Sequence, residues 1–249
     1  MMRIILKCFI ALTLWIAGAT VRAALTNNMF NIRHIGYAEG LSSQRVFSIV
    51  EDSHGAMWIA TKTGIDRYNG HIIKSYTLPG NFYYGDLAGR KLGLLYHEKY
   101  GLWAYDHTGR VYHYSIENDC FEQYLYLGEF ITGEIILNKL YLDHEGTFWF
   151  GLNKGLYKND ADNNVIPVVQ QKYVNDIVVV EKTLFIGTST GVLQLSYSNL
   201  DKPRQLLGGH DVQTLFCDTT KKELWIGTFN SGLLVMNLNT NTLLPLKEQ

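Results

Sequence analysis

Three histidines, His97, His107 and His113, fall close together, and Asp106 stands beside the second. Imidazoles are common zinc ligands, but their spacing here follows no metal-binding pattern. His97 and His113 read as strand residues and His107 as part of a turn. Asp52 and Asp143 each precede a glycine by three residues (Gly55 and Gly146). Neither has the further acidic ligands that a calcium loop needs. Asp-x-x-Gly instead suits a tight turn, in which the carboxylate bonds nearby backbone and glycine takes positive φ. The segment "PGNFYYGDLAGR" (Pro79 to Arg90) offers a different chemistry. The flat faces of Tyr83 and Tyr84, beside Asn81, Asp86 and Arg90, suit stacking on a sugar and bonding its hydroxyls. These five are the candidate ligand-binding residues; the competing reading folds the rings inward onto their own loop. Asp66 and Arg67 read as a solvated pair near a rim. The chain has no G-x-S-x-G elbow, HExxH or paired-cysteine motif. The expectation is therefore no catalytic residue, no metal and no cofactor.

The ends and the charge narrow the class. Arg3 and Lys7 precede the apolar run "CFIALTLWIAGATV", and Val21 and Ala23 flank a small-residue cut. This has the regions of a secretory signal peptide spanning residues 1–23, cleaved after Ala23. The run is shorter than the roughly 20 residues of a spanning helix, and no later segment approaches that length. The mature chain, 24–249, is expected to be exported, periplasmic and without a membrane span. It would carry 19 basic and 23 acidic residues, a formal charge of −4, with no basic patch. Nucleic acid is not an expected partner. Cys120 and Cys217 read as buried small apolar residues without a bond between them.

The elements that must position these groups emerge from an internal repeat. "MWIATKTG", "LWAYDHTG", "FWFGLNKG", "LFIGTSTG" and "LWIGTFNSG" share an aromatic residue followed six or seven places on by a glycine. The aromatic positions are Trp58, Trp103, Trp149, Phe185 and Trp225, spaced by 45, 46, 36 and 40 residues. The glycines are Gly64, Gly109, Gly155, Gly191 and Gly232. Units of about forty residues have the length of a four-stranded propeller blade. Each unit reads as an apolar strand, a turn, the aromatic strand, the glycine, a third strand and a fourth. Asn69-Gly70 between alternating runs is a strong hairpin signal. Helical periodicity is absent. The fold class expected is all-β, a β-propeller with about five blades present. The aromatic residues would anchor blade to blade, since a lone four-stranded sheet cannot bury both faces.

Leu41 to Thr77, "LSSQRVFSIVEDSHGAMWIATKTGIDRYNGHIIKSYT", resembles the two-component regulator propeller repeat. The units at Trp149 and Trp225 match well, that at Phe185 moderately and the Tyr-rich one at Trp103 poorly. The resemblance implies the periplasmic sensor region of a hybrid two-component histidine kinase, which binds an oligosaccharide or other small periplasmic ligand without chemistry. It also implies a ring of about seven blades, in which a first strand near Ile32 to Tyr37 joins the last blade. With five units the propeller is expected to be incomplete and open, and the last sheet's face exposed. The reading is then of the N-terminal part of a truncated or split sensor, whose partner is the remaining propeller and kinase portion. The alternatives are a stand-alone secreted propeller acting as an interaction scaffold and a periplasmic lyase.

Overall fold

The computed structural model describes residues 32–80 and 91–245. The proposed signal peptide, and Asn81, Tyr83, Tyr84, Asp86 and Arg90, lie outside the described residues. Packing divides the chain into residues 1–35 and 36–249. Of the first unit, residues 32–35 are described, and they form no strand.

The second unit consists of five four-stranded antiparallel sheets, each a meander in chain order. Blade 1 comprises β1 (Val46–Glu51), β2 (Met57–Thr61), β3 (Ile65–Tyr68) and β4 (Ile73–Tyr76). Blade 2 comprises β5 (Leu92–His97), β6 (Gly101–Asp106), β7 (Arg110–Ser115) and β8 (Cys120–Tyr126). Blade 3 has β9 (Leu137–Leu142), β10 (Phe148–Leu152), β11 (Gly155–Asn159) and β12 (Val165–Gln170). Blade 4 has β13 (Val174–Val180), β14 (Thr183–Thr188), β15 (Gly191–Ser196) and β16 (Asn199–Gly208). Blade 5 has β17 (Val212–Asp218), β18 (Glu223–Thr228), β19 (Leu233–Asn237) and β20 (Thr242–Leu244). The first strands of successive blades pack side by side, β1 on β5, β5 on β9, β9 on β13 and β13 on β17. No β17–β1 packing of comparable extent occurs among the described residues, so the arc is open.

Five blades make four junctions, and each junction has its own apolar cluster. Trp58, Ala60 and Ile65 of blade 1 meet Leu94, Leu102 and Ala104 of blade 2. Trp103 and Val111 meet Leu140, Phe150 and Leu152. Trp149 and Leu156 meet Ile177, Leu184 and Ile186, and Phe185 and Val192 meet Leu215, Leu224 and Ile226. The repeated aromatic residue therefore faces the blade that follows it. Buried aromatic area of this kind dominates the stability of stacked sheets.

The Asp-x-x-Gly turn and the tryptophan turn out to be one device. Asp52 accepts hydrogen bonds from the His54 and Ala56 backbone N–H groups at 2.9 and 3.0 Å, and from the Trp58 indole N–H at 2.8 Å. Asp143 does the same with Glu145, Thr147 and Trp149, at 3.0, 2.8 and 3.0 Å. A single carboxylate closes the hairpin and satisfies the one polar atom of the buried anchor. Burial works against the charge of Asp52, but the indole and backbone donors hold its carboxyl below the ordinary aspartate value. The recurring glycine is required at Gly155 and Gly191. A Cβ there would sit 2.0 Å from the Val169 carbonyl oxygen and 1.9 Å from that of Leu207.

Some expectations change. Asp66 is fully buried rather than solvated. It accepts from the Ser42 N–H (2.8 Å), the Ser42 hydroxyl (2.7 Å) and the Ser75 hydroxyl (2.5 Å), pinning the segment before β1 to β3 and β4. Its isolated polar context in the sequence hides these partners, of which the nearest is nine residues away. Residues 32–36 form no strand, and Tyr37–Glu39 is a 3-10 turn. Cys120 and Cys217 are unbonded but only half-buried.

Candidate functional site

Antiparallel connectivity puts the start of every first strand, and every second-to-third-strand turn, at the same end of the arc. There the first strands line a cavity of about 540 Å³. Its polar wall is Ser48, Lys91, His107, Asn138, Asn175 and Gln213; Phe47, Leu92, Leu137 and Tyr173 are among its apolar or aromatic members. Among the described residues no carboxylate lines it. All five blades contribute, which makes it the mouth of the central channel.

A repeated irregularity aims these side chains. In blades 1, 3, 4 and 5 the pairing of the first two strands slips by one residue, between Val46 and Ser48, Leu137 and Lys139, Val174 and Asp176, and Val212 and Thr214. A bulge of this kind re-aims the extra residue, here Phe47, Asn138, Asn175 and Gln213. Blade 2 has continuous pairing from Leu92 to His97 instead. Its Gly93 lies under the Tyr105 ring, which a Cβ would meet at 2.1 Å.

The bulge amides also tie blades together. Asn138 donates through Nδ2 to the Val174 carbonyl at 2.8 Å, and Asn175 to that of Val212 at 2.7 Å. Next to them, Lys139 pairs with Asp176 at 2.9 Å, and Asp176 accepts from the Leu215 N–H at 2.8 Å. Burial opposes the Lys139 charge, yet the Asp176 carboxylate outweighs it and holds the ammonium above its ordinary range. Leu94 N–H donates to the Ser48 hydroxyl at 3.3 Å in the first junction. The channel wall is thus polar and braced, an arrangement suited to binding by fixed hydrogen-bonding groups.

At the opposite rim, a smaller cavity of about 320 Å³ lies between blades 3 and 4, lined by Glu145, Lys158, Lys182, Tyr197 and Ser198 among others. Tyr197 packs against Trp149 with its ring tilted, the centroids 5.4 Å apart, and donates to Asp143 at 3.3 Å. Burial and the Asp143 charge raise the Tyr197 phenol far above its usual pKa.

The three histidines do not converge. His107 is at the channel mouth, where its Nδ1 accepts from the Lys91 N–H at 3.3 Å. His113 packs on Trp103, and His97 packs on Tyr100 and His144 at the blade 2–3 boundary. Among the described residues no group of three or more His, Cys, Asp or Glu side chains is placed to hold a metal. The proposed loop residues lie outside the described part, although the chain resumes at Lys91 in the channel wall. Sequence reasoning missed the bulge residues. They stand 11, 11, 10 and 12 residues before their aromatic anchors (Phe47, Asn138, Asn175 and Gln213), so no fixed spacing flags them. Counting from the start of each first strand would have aligned three amides.

Residues 40–63 match the family model described as two component regulator propeller. No curated protein sequence matches the chain. Among solved structures, the chain is similar to the extracellular domain of a candidate hybrid two component system of B. thetaiotaomicron. The identity is 22% over 85% of this chain and 31% of that one, with a TM-score of 0.66. A second extracellular domain from the same organism, of a candidate one component system, shows 21% identity over 83% of this chain and 29% of that one, with a TM-score of 0.66. Streptogramin B lyase shows 12% identity over 82% of this chain and 69% of that one, with a TM-score of 0.63. The chain spans about a third of the length of the first two. These likenesses establish the propeller fold. Among the described residues no helix is long and apolar enough to cross a membrane.

Proposed function

We propose that this chain, with its two component regulator propeller repeat at residues 40–63, is the ligand-sensing part of an exported signalling protein. The chain would be the N-terminal portion of a hybrid two-component sensor, delivered to the periplasm by residues 1–23. Its ligand would be glycan-derived and would enter the channel mouth. One observation carries this reading: the described residues around the cavity of about 540 Å³ supply amides, hydroxyls and aromatic rings, together with Lys91 and His107. Amide and hydroxyl groups match the hydroxyls of a sugar, and aromatic faces match its apolar side. Lys91 would select ligands bearing a negative group. The loop carrying Tyr83 and Tyr84 runs directly into Lys91 in the sequence and would contribute stacking faces.

The test is thermal stabilisation and calorimetric titration with a panel of neutral and acidic oligosaccharides. A binder is expected, with affinity falling about tenfold in Lys91→Ala or Gln213→Ala, the scale of one hydrogen bond to a charged or amide group. A glycan bound equally well by both variants would place the site elsewhere. The likeness to streptogramin B lyase supports a second reading, a lyase. Appearance of unsaturated products during the same incubations would favour it. A chain that binds no glycan and captures a protein instead would be a scaffold.

A further inference from the structure

The anchor tryptophans are not enclosed alike at every internal junction. Trp58 has Tyr76, Tyr114 and Phe121 around it, with centroids 5.3, 4.7 and 6.0 Å away. Trp103 has His113, Tyr124 and Phe148, at 4.3, 5.0 and 4.8 Å. Trp149, at the junction of blades 3 and 4, has among the described residues one ring against it, that of Tyr197. Where the first two anchors are ringed by aromatic side chains, a cavity of about 320 Å³ borders Trp149. Three turns wall it: β9–β10 supplies Glu145, β13–β14 supplies Lys182, and β15–β16 supplies Tyr197 and Ser198. Lys158 of β11 pairs across from Trp149, with its ammonium 5.8 Å from the indole centroid.

The charges here differ in what they can still bind. Asp143 is buried, and each of its oxygens already accepts two hydrogen bonds. The Glu145 and Thr147 N–H groups take one oxygen, and the Trp149 indole and Tyr197 hydroxyl take the other. No lone pair is left for a ligand. Glu145 and Lys182 are exposed and Lys158 is half-buried. Among the described residues neither ammonium is in an ion pair. Two uncommitted ammoniums against one uncommitted carboxylate leave a single positive charge to be answered. The Tyr197 hydroxyl is held by Asp143, which fixes the ring as a half-buried wall of the cavity. The volume is at the low end of the roughly 300–1,000 Å³ of small-molecule sites, so it suits one ring rather than a chain. An adjoining cavity of about 390 Å³ shares Glu145, Thr147 and Lys158, so a substituent on that ring has room.

We propose that the blade 3–4 cavity is a second binding site, for a six-membered ring that carries one negative charge. The ring would lie against Tyr197 at the edge of Trp149, and the anionic group would take the ammoniums of Lys158 and Lys182. The site is at the opposite end of the blades from the channel mouth and does not rest on the reading of that mouth.

Ligand-observed saturation-transfer NMR and calorimetric titration test this with glucuronate, a sulfated glucose and phenylacetate. Glucose and benzyl alcohol are their neutral counterparts. At least one anion should bind and its neutral counterpart should not; which anion binds distinguishes a sugar source from an aromatic one. Lys182→Ala changes an exposed position, and circular dichroism should show it folded. Lys182→Ala and Lys158→Ala should each weaken the anion about tenfold, the scale of a hydrogen bond to a charged group. Glu145→Gln should tighten it about threefold, the scale of an exposed charge pair. The proposal is overturned if no anion binds, if the neutral rings bind as well, or if both lysine variants bind undiminished. Weaker binding in Glu145→Gln overturns the charge assignment. Loss in Lys91→Ala but not in Lys182→Ala would assign the anion to the channel mouth, and overturns it too.

Discussion

Trp58 and Trp225 stand in the same motif, on the same strand of their blades, and face in the same direction. Trp58 is enclosed by Tyr76, Tyr114 and Phe121, with the Tyr114 centroid 4.7 Å away, and its indole is held by Asp52. Trp225 belongs to none of the four clusters and is half-buried. A repeat motif thus specifies an anchor, but the energy of the anchor belongs to the pair of blades. This is the general behaviour of repeat architectures, in which interface terms between neighbours carry much of the stability.

The largest test of that difference is truncation of the two tryptophans. Trp58→Ala should cost about 3–5 kcal/mol, through lost packing and the cavity left behind. Trp225→Ala should cost about 1–2 kcal/mol, because only part of its area leaves water on folding. Urea denaturation of both variants measures this, and equal losses would break the comparison.

Asp176 offers the next largest effect, because it serves two junctions at once, pairing with Lys139 and accepting from Leu215 and Thr214. Asp176→Ala should cost about 2–3 kcal/mol, below the full cost of breaking a buried pair because Lys139 retains some solvent. No such cost should follow Asp218→Ala, whose carboxylate bonds only its own exposed turn at Thr220 and Lys221. The same urea titrations decide.

Smallest is the contribution of the Asp52 carboxylate. Its folded pKa lies below the ordinary 3.8, so the unfolded chain binds the proton first on acidification. The stabilisation is present above the unfolded value and is lost as pH falls through the folded one. Asp52→Asn should therefore cost about 1 kcal/mol near neutral pH, and the gap to the unaltered chain should close below pH 3.8. A gap independent of pH would mean that the charge contributes nothing to holding the indole.

Much of the architecture is legible from the chain. The tryptophans, the turn aspartates and the glycines mark where strands run and reverse, because they answer local demands. Gly191 is required by a carbonyl 1.9 Å from where its Cβ would be, and Asp52 by donors two, four and six residues on. The candidate site was far less legible. Asn138, Asn175 and Gln213 meet only where strands from different blades converge, and hairpins of unequal length conceal their alignment.

By itself, the sequence determined the blade: a four-stranded meander, its anchor and its turns, all set by contacts within about forty residues. The tertiary structure alone decided which copies of the motif are buried and which bulge residues face the channel. Those outcomes depend on what lies next to a blade in space. A residue's own neighbours in the chain carry no record of whether another sheet will cover it, so Ile49 and Phe216 have the pattern of core residues and yet are exposed among the described residues.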